Sequence, residues 1–200
     1  MSFDVDVTKR LGDSEIACRF EAADGLTVLF GPSGVGKTSV LNMIAGLLRP
    51  DAGHVRVDGE TLFDAVTGVD LAPERRGAGY VFQEPRLFPH LRVRANLLYG
   101  ATRDDRLAET IELLGIGHLL DRWPRSLSGG EARRVAIGRA LLAEPRFLLL
   151  DEPLSSLDRA RGEEIMGLIE RLRDNVGLPI LMVTHDAAEA ARLGTRIVSL

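Results

Sequence analysis

The sequence predicts an α/β fold with a doubly wound core, preceded by an antiparallel β-subdomain and interrupted by an inserted helical subdomain. Residues 3–9 and 16–20 alternate apolar and polar side chains around a Leu11-Gly12-Asp13 turn, which is typical of an antiparallel hairpin. Between residues 84 and 143 the pattern changes to loops and helices, which indicates a helical subdomain inside a single domain of residues 1–200. Strand and helix then alternate over strands 146–151, 179–184 and 196–200 and helices 159–174 and 186–193.

The elements between these regions follow from apolar spacing and from chain breakers. Residues 26–30 are a continuous apolar run, as in a buried strand, and residues 38–48 repeat apolar side chains at helical spacing. The run 146–150 is also apolar throughout and ends in Asp151, as expected for a parallel strand buried on both faces. Residues 60–77 are expected to be irregular. Further strands are predicted at 54–59 and 78–83, and further helices at 104–114 and 129–142.

Bulk composition excludes several classes of protein. The chain has 200 residues and a formal net charge of −4, which does not favour general nucleic-acid binding. Cys18 is the single cysteine, so no intrachain disulfide is possible and a reducing compartment is predicted. Its place in an alternating strand predicts an inward-facing residue rather than a nucleophile. The N-terminus does not resemble a signal peptide, and no apolar run approaches the roughly 20 residues of a membrane span.

A phosphate-binding loop is predicted between the strand at 26–30 and the helix that follows it. The stretch fits G-x-x-x-x-G-K-[ST], and its glycines allow successive backbone N–H groups to face phosphate oxygens at the positive end of the new helix. Lys37 is one of only two lysines in the chain and supplies a compact positive charge for the β- and γ-phosphates, while the Thr38 hydroxyl can ligate Mg²⁺. The nucleotide-binding residues are Gly31, Pro32, Ser33, Gly34, Val35, Gly36, Lys37, Thr38 and Ser39.

Polar side chains at three other strand ends predict the rest of a nucleotide site. Asp151 can hold Mg²⁺ beside Thr38, and Glu152 is the candidate that orients or deprotonates the attacking water. Gln83 can bridge Mg²⁺ or that water to the helical subdomain, and His185 can donate to the γ-phosphate. The alternatives are an exposed acidic pair, a solvated glutamine and a capping histidine.

A second anion site is predicted where the helix at 129–142 begins. Ser128 and Glu131 form a capping box, which explains these two residues alone. Gly129 and Gly130 each cost roughly 1 kcal/mol relative to Ala inside a helix. Such glycines leave backbone N–H groups uncovered, so that an anion can approach closely. Because the phosphate loop already holds this chain's own nucleotide, we expect a nucleotide brought by another chain.

The motif Leu127-Ser128-Gly129-Gly130-Glu131 resembles the signature motif of ABC-type ATPases. Together with the phosphate loop, Gln83, Asp151-Glu152, Ser156-Leu157-Asp158 and His185, the resemblance covers the whole chain. It implies an ABC-type fold and a head-to-tail homodimer in which two ATP molecules lie between one phosphate loop and the other chain's signature helix. It also implies that Asp158 lies in the loop crossing this interface and that Gln83 opens a loop sensing a membrane partner. Glu131 stands where glutamine is commoner in the family.

The run at 80–100 resembles ABC importers, and its Arg-Leu-Phe-Pro-His stretch resembles the ATPases of molybdate importers. The resemblance implies that residues 84–100 contact permease subunits at the cytoplasmic face of the membrane, with a periplasmic or extracellular binding protein acting indirectly. Two departures stand out. Leu11 occupies the place where many members stack the adenine on an aromatic ring. The chain also stops at Leu200 within a predicted strand, without the C-terminal oxyanion-binding domain that is usual in molybdate-type ATPases.

The predicted function is therefore ATP hydrolysis in an importer of molybdate or tungstate, with ATP and Mg²⁺ bound. An importer of sulfate or another oxyanion stays an alternative. A soluble, non-transport ABC protein would normally need a basic groove or a second cassette, and neither is evident in the sequence. A small-molecule P-loop kinase would leave the signature helix unexplained.

Overall fold

A computed structural model describes residues 2–23, 25–101 and 103–200. Within these residues there are six α-helices and ten strands. The helices are α1 (Lys37–Ala45), α2 (Val93–Leu97), α3 (Leu107–Leu114), α4 (Gly129–Leu142), α5 (Arg159–Asn175) and α6 (Ala187–Leu193). The strands are β1 (Phe3–Leu11), β2 (Ser14–Ala22), β3 (Leu26–Phe30), β4 (Ala52–Val57), β5 (Glu60–Asp64), β6 (Val69–Asp70), β7 (Ala78–Val81), β8 (Phe147–Asp151), β9 (Ile180–Thr184) and β10 (Arg196–Ser199).

The strands form an antiparallel sheet and a parallel sheet. The antiparallel sheet has the order β2-β1-β4-β5-β6, and the predicted hairpin β1–β2 pairs Phe3 with Ala22 at one end and Leu11 with Ser14 at the other. The parallel sheet has the order β10-β3-β9-β8-β7. Because parallel strands point the same way, the segments following β3, β9, β8 and β7 all leave the same edge of this sheet.

The central strands β3, β9 and β8 of the parallel sheet are buried on both faces, as their continuous apolar sequences predict, whereas the edge strand β10 is largely exposed. Leu148 and Leu150 of β8 belong to the core shared with α4 and α5, whereas Phe147 and Leu149 belong to the core shared with α1 and the antiparallel sheet. Cys18 lies in the second core, so the inward orientation predicted for it is confirmed. Burial raises the pKa of the Cys18 thiol to about 12, which keeps it protonated.

The expectation of irregular structure over residues 60–77 is wrong. Asp58 and Gly59 have φ of 48° and 79°, which gives the hairpin turn that Asp-Gly favours, and β5 follows at once. Leu62 and Phe63 are adjacent and both buried, so β5 lacks the alternation by which a half-buried strand is found. β6 then pairs with β5.

The phosphate-loop helix α1 is shorter than predicted, because it ends at Ala45 rather than at residue 48. Gly46 caps it in the left-handed region with φ of 82°. A Cβ at Gly46 would lie 2.6 Å from Nε of Arg76, whose Nη1 donates to the carbonyls of Met43 and Ile44 at 2.9 and 3.0 Å. A buried arginine thus satisfies the carbonyl end of α1.

The segment between β7 and β8 is helical, with α2, α3 and α4 packed on one another through apolar side chains. Gly138 of α4 allows close packing there, since a Cβ would lie 2.7 Å from Leu97 and from Leu114. None of the helices in the described part of the chain is long and apolar enough to span a membrane.

Candidate functional site

The phosphate loop (residues 31–39) leaves β3 and leads into α1. Gly34 and Gly36 have φ of 85° and 107°, a region that residues with a Cβ rarely adopt. Gly36 is the N-cap of α1, and no side chain caps the helix. The first-turn N–H groups of α1 therefore lack both an intrahelical partner and a side-chain cap. This uncapped helix end can bind an anion such as phosphate.

Lys37 is folded back over the phosphate loop. It is 4% exposed, and its Nζ donates to the carbonyl oxygens of Gly31 at 2.7 Å and Pro32 at 2.8 Å. These contacts use two of the three N–H groups of the ammonium. The contacts fix a positive charge beside the uncapped helix end, where a phosphate would be bound.

Two oxygen ligands suitable for a hard cation meet next to this loop. The Thr38 hydroxyl donates to Oδ1 of Asp151 at 2.9 Å, and Asp151 is 3% exposed at the end of β8. Burial raises the pKa of Asp151, and the Thr38 hydrogen bond and the positive charges of Lys37 and Arg133 oppose that effect. Among the described residues no cluster of three His, Cys, Asp or Glu side chains is suited to a metal. Mg²⁺ is usually held by one or two protein oxygens together with substrate phosphates and water, and the Thr38 and Asp151 oxygens suit such a site.

Glu152 lies between Gln83 and His185. One oxygen of its carboxylate accepts a hydrogen bond from Nε2 of Gln83 at 3.4 Å, and the other is 3.2 Å from Nδ1 of His185. The backbone of Glu152 has φ of 43°, so strand geometry does not persist past Asp151. Glu152 and Gln83 line, with the phosphate loop, a cavity of about 340 Å³. Its wall is formed by Ser33, Gly34, Gly36, Lys37, Thr38, Ser39, Gln83 and Glu152.

The segment after β7 borders a second cavity of about 400 Å³. Tyr80 and Phe82 stack with their ring centroids 4.1 Å apart, and Arg86 lies 4.3 Å above the Phe82 ring. Tyr80 also donates to Oδ1 of Asn42 in α1 at 3.0 Å. Thr38, Gln83 and Asp151 line this cavity as well. The three residues predicted to hold Mg²⁺ are therefore neighbours, with Gln83 between the two cavities.

The predicted capping box at the start of α4 is present. Oγ of Ser128 accepts from the backbone N–H of Glu131 at 3.3 Å, and Oε2 of Glu131 accepts from the Ser128 N–H at 2.7 Å. The backbone hydrogen bond from Ser128 lowers the pKa of Glu131. Gly129 has a packing reason that the sequence did not reveal, since a Cβ there would lie 3.3 Å from Leu157.

The Ser128 end of α4 lines its own cavity of about 380 Å³, separate from the cavity of the phosphate loop. Its wall contains Gly115, His118, Leu119, Ser128, Gly130, Glu131, Arg134, Arg161 and Glu164. Asp158 is three residues before Arg161 and caps α5, because its Oδ1 accepts a hydrogen bond from the Arg161 N–H at 3.0 Å. The N-terminal ends of α1 and α4 therefore do not share a cavity within one chain.

Thr184 and Arg133 make polar contacts near the site that were not found from the sequence. Thr184, at the end of β9, donates to Oε2 of Glu189 at 2.5 Å and accepts from the N–H of Asp186, which braces the turn that carries His185. Arg133 of α4 donates to the carbonyl of Phe82. The small and apolar residues at helical spacing from Arg133 could have indicated that it is buried, but not that it contacts Phe82.

The fold and the strand-end site define an ATP-binding cassette of the P-loop class. The profile of the ABC transporter family matches residues 20–155, and the chain belongs to this family. A dimeric ATP-binding cassette bound to ADP and Pi in a post-hydrolysis state is similar over 100% of this chain and 94% of its own length, with a TM-score of 0.80 and 30% identity. The cassette cbiO1 of Clostridium perfringens, part of the ABC transporter complex cbiONQ, has a TM-score of 0.84 and 26% identity over 98% of this chain and 83% of its own.

The chain is also similar to curated proteins that carry the name molybdenum import ATP-binding protein ModC. That of Mesorhizobium japonicum is 54% identical over 100% of this chain, and that of Rhizobium meliloti is 53% identical over 99%. The matches cover 56% and 57% of these relatives. The chain thus spans about half the length of the curated relatives that it matches.

Proposed function

We propose that the chain is the ATP-binding and ATP-hydrolysing part of an ABC importer for molybdate or tungstate. The observation that carries the proposal is the convergence of Lys37, Thr38, Asp151, Glu152 and His185 at one edge of the parallel sheet. Catalysis at such a site is mainly positioning and electrostatic stabilisation of the transferring phosphoryl group. We assign residues 1–200 to a single nucleotide-binding domain, with the helical subdomain at about 84–143.

Each side chain has a defined task in this proposal. Lys37 and the N–H groups of the phosphate loop bind the phosphates of ATP. Thr38, Asp151 and Gln83 would hold Mg²⁺, which supplies positive charge to the phosphate oxygens when bound. Glu152 accepts the proton of the attacking water, and His185 donates to the γ-phosphate.

The separate cavity at Ser128 supports a head-to-tail homodimer. Ser128 and the N–H groups of Gly129 and Gly130 would face the γ-phosphate of a nucleotide bound to the partner's phosphate loop, and Glu131 would lie at the same nucleotide-binding helix end. ATP would then be shared by two chains, and its binding would close the dimer. The dimeric state named for one structural neighbour agrees with this arrangement.

We place a membrane permease against residues 84–100, next to the cavity bordered by Gln83 and Arg86. The chain would lie at the cytoplasmic face of the membrane through that permease, and a binding protein outside would deliver the oxyanion. The choice of molybdate or tungstate rests on the names of the relatives and on the run at 80–100.

The test is hydrolysis of Mg-ATP by the full-length chain, assembled in vesicles with the membrane protein that copurifies with it. Molybdate, tungstate and sulfate are added in turn, each with its binding protein. Stimulation by molybdate or tungstate alone supports the proposal. Stimulation by sulfate alone keeps the importer and discards the substrate, and indifference to every anion refutes the importer.

A further inference from the structure

Arg133 of α4 is a buried cation without a hydrogen-bonded carboxylate among the described residues. It is 3% exposed, and its Nη1 donates to the carbonyl oxygen of Phe82 at 2.7 Å. Its Nε is buried and makes no hydrogen bond to any residue that the structure describes. Burial lowers the pKa of Arg133, and the negative charge of Asp151 opposes this effect. A guanidinium is costly in such a place, because its charge is desolvated and one donor is unsatisfied.

The carbonyl that Arg133 contacts belongs to the residue before Gln83. A second arginine of α4 contacts the same segment. Arg139 donates to the carbonyl oxygens of Arg86 at 3.0 Å and Pro85 at 3.3 Å. Three carbonyls of residues 82–86, which we call the Gln83 segment, thus accept hydrogen bonds from one helix.

We propose that Arg133 is a positioning residue that holds the Gln83 segment in register with the Ser128 end of α4. The 14-residue helix α4 starts at the Ser128 capping box, and Arg133 lies one turn further on. A displacement of the Gln83 segment therefore moves the Ser128 end of α4, and a displacement of the Ser128 end moves the Gln83 segment. The inference rests on the proposed function, in which Gln83 faces the chain's own nucleotide and Ser128 faces the partner's.

A purely stabilising role for Arg133 predicts a different outcome. Replacing a buried charge by an apolar side chain of similar length is often neutral or stabilising. Arg133→Met should therefore keep the protein folded while it removes the contact to Phe82. If Arg133 positions the Gln83 segment, turnover falls although stability does not.

The experiment compares Arg133→Met and Arg133→Lys with Arg173→Met in the full-length chain assembled with its membrane protein. Arg173 is the matched control, since it lies on α5 and donates to a backbone carbonyl, that of Leu193 at 3.0 Å, outside the nucleotide cavities. For Arg133→Met we expect kcat for Mg-ATP to fall about tenfold to a hundredfold, as when groups that orient metal ligands are removed. We expect KM for Mg-ATP to change by less than about threefold, because Lys37 and the phosphate loop are untouched. Arg133→Lys keeps a charge and a donor and should recover part of kcat, and Arg173→Met should keep the wild-type kcat.

Amide hydrogen exchange supplies a readout that does not depend on turnover. In Arg133→Met the amides of the Gln83 segment other than Pro85 should exchange about tenfold faster, whereas those of α1 and β8 should be unchanged. Wild-type kcat and exchange in Arg133→Met overturn the inference alone. A parallel loss of kcat and thermal stability that Arg133→Lys does not relieve also overturns it, in favour of a stabilising role. A wild-type chain that does not hydrolyse Mg-ATP overturns the inference together with the proposed function.

Discussion

Replacing Glu152 by Gln exchanges one oxygen for an N–H₂ group and removes the charge that we assign to water activation. In the native site one carboxylate oxygen accepts from Gln83 and the other contacts Nδ1 of His185 at 3.2 Å. A carboxylate only accepts, so this contact is a hydrogen bond when Nδ1 of His185 carries a proton, and donation from Nε2 to a phosphate at the same time requires the doubly protonated ring. A glutamine can still accept from Gln83, but it then turns its N–H₂ group toward His185. Nδ1 of His185 must then accept, and a single proton on Nε2 is enough for donation to a phosphate.

The expected magnitude follows from this local change. General-base assistance contributes about 10²- to 10⁴-fold, which corresponds to roughly 3–5 kcal/mol in the activation free energy. The folded state loses little, because both contacts of Glu152 have a substitute in the glutamine. The negative charge of Glu152 also raises the pKa of Asp151, so its removal relieves a repulsion between neighbours. We expect the free energy of unfolding to stay within about 1 kcal/mol of wild type or to rise.

The assay measures phosphate release in a single turnover, nucleotide affinity, and the dimer fraction with Mg-ATP by size-exclusion chromatography. Glu152→Gln should bind Mg-ATP with wild-type affinity and accumulate as a dimer, because ATP that is not hydrolysed keeps the two chains together. Glu163→Gln is the control, since it makes the same chemical change at an exposed glutamate that pairs with Arg192. Hydrolysis at the wild-type rate by Glu152→Gln would refute the assignment of the base.

Lys37→Ala removes the charge fixed over the phosphate loop and should weaken Mg-ATP binding by at least about 100-fold, measured with a fluorescent ATP analogue; unchanged affinity contradicts the phosphate-loop assignment. Gly36→Ala forces a Cβ into a backbone with φ of 107° and to 2.9 Å from Ile16, so the free energy of unfolding should fall by about 1–3 kcal/mol in a urea titration. Ser128→Ala loses the cap of α4 and should lower the free energy of unfolding by about 1 kcal/mol. The activation free energy of ATP turnover in the dimer should rise by more than this amount, and an equal change would limit Ser128 to capping. Burial raises the pKa of Glu189 above its ordinary value of 4.5, so the native state binds this proton more tightly than the unfolded state. The free energy of unfolding should therefore fall as the pH rises through 4.5 and above. Glu189→Gln should flatten that part of the plot of unfolding free energy against pH, and an unchanged plot contradicts the argument.

Elements with strong local determinants were predicted well from the sequence. The bounds of α4 are those predicted, because Ser128 and Glu131 fix its start chemically. The site edge was predicted because parallel topology brings strand ends together, whichever side chains follow them. β5 was missed because Leu62 and Phe63 are adjacent and both buried, so the strand shows no alternation of apolar and polar residues. The early end of α1 had one local signal, Gly46 at its C-cap, whereas the contact of Arg76 with Met43, 33 residues away in sequence, had none.

Long-range burial explains the other omissions. Nothing in the neighbourhood of Arg133 indicates that its side chain reaches Phe82, which is 51 residues away in sequence. The pairing of Thr184 with Glu189 is local, yet Thr at a strand end is common and gives no reason to expect it. A sequence pattern therefore identifies groups that contact ligands more readily than groups that hold those contacts in place.

The backbone at Glu152 determines how the two carboxylates of the acidic pair are oriented. In a continuing strand, Asp151 and Glu152 would point to opposite faces, and only one of them would reach the edge of the sheet. The left-handed conformation of Glu152, with φ of 43°, instead places its carboxylate against Gln83 and His185 while Asp151 stays with Thr38. A residue other than glycine pays about 1–3 kcal/mol for such a conformation, and it persists only where the surroundings enforce it. The hydrogen bond from the Glu152 N–H to the carbonyl of Val183 and that from the Ser155 N–H to the carbonyl of Glu152 supply that enforcement. The strain is thus located at the residue whose direction decides whether the pair can take the separate roles that we propose, Mg²⁺ for Asp151 and water for Glu152.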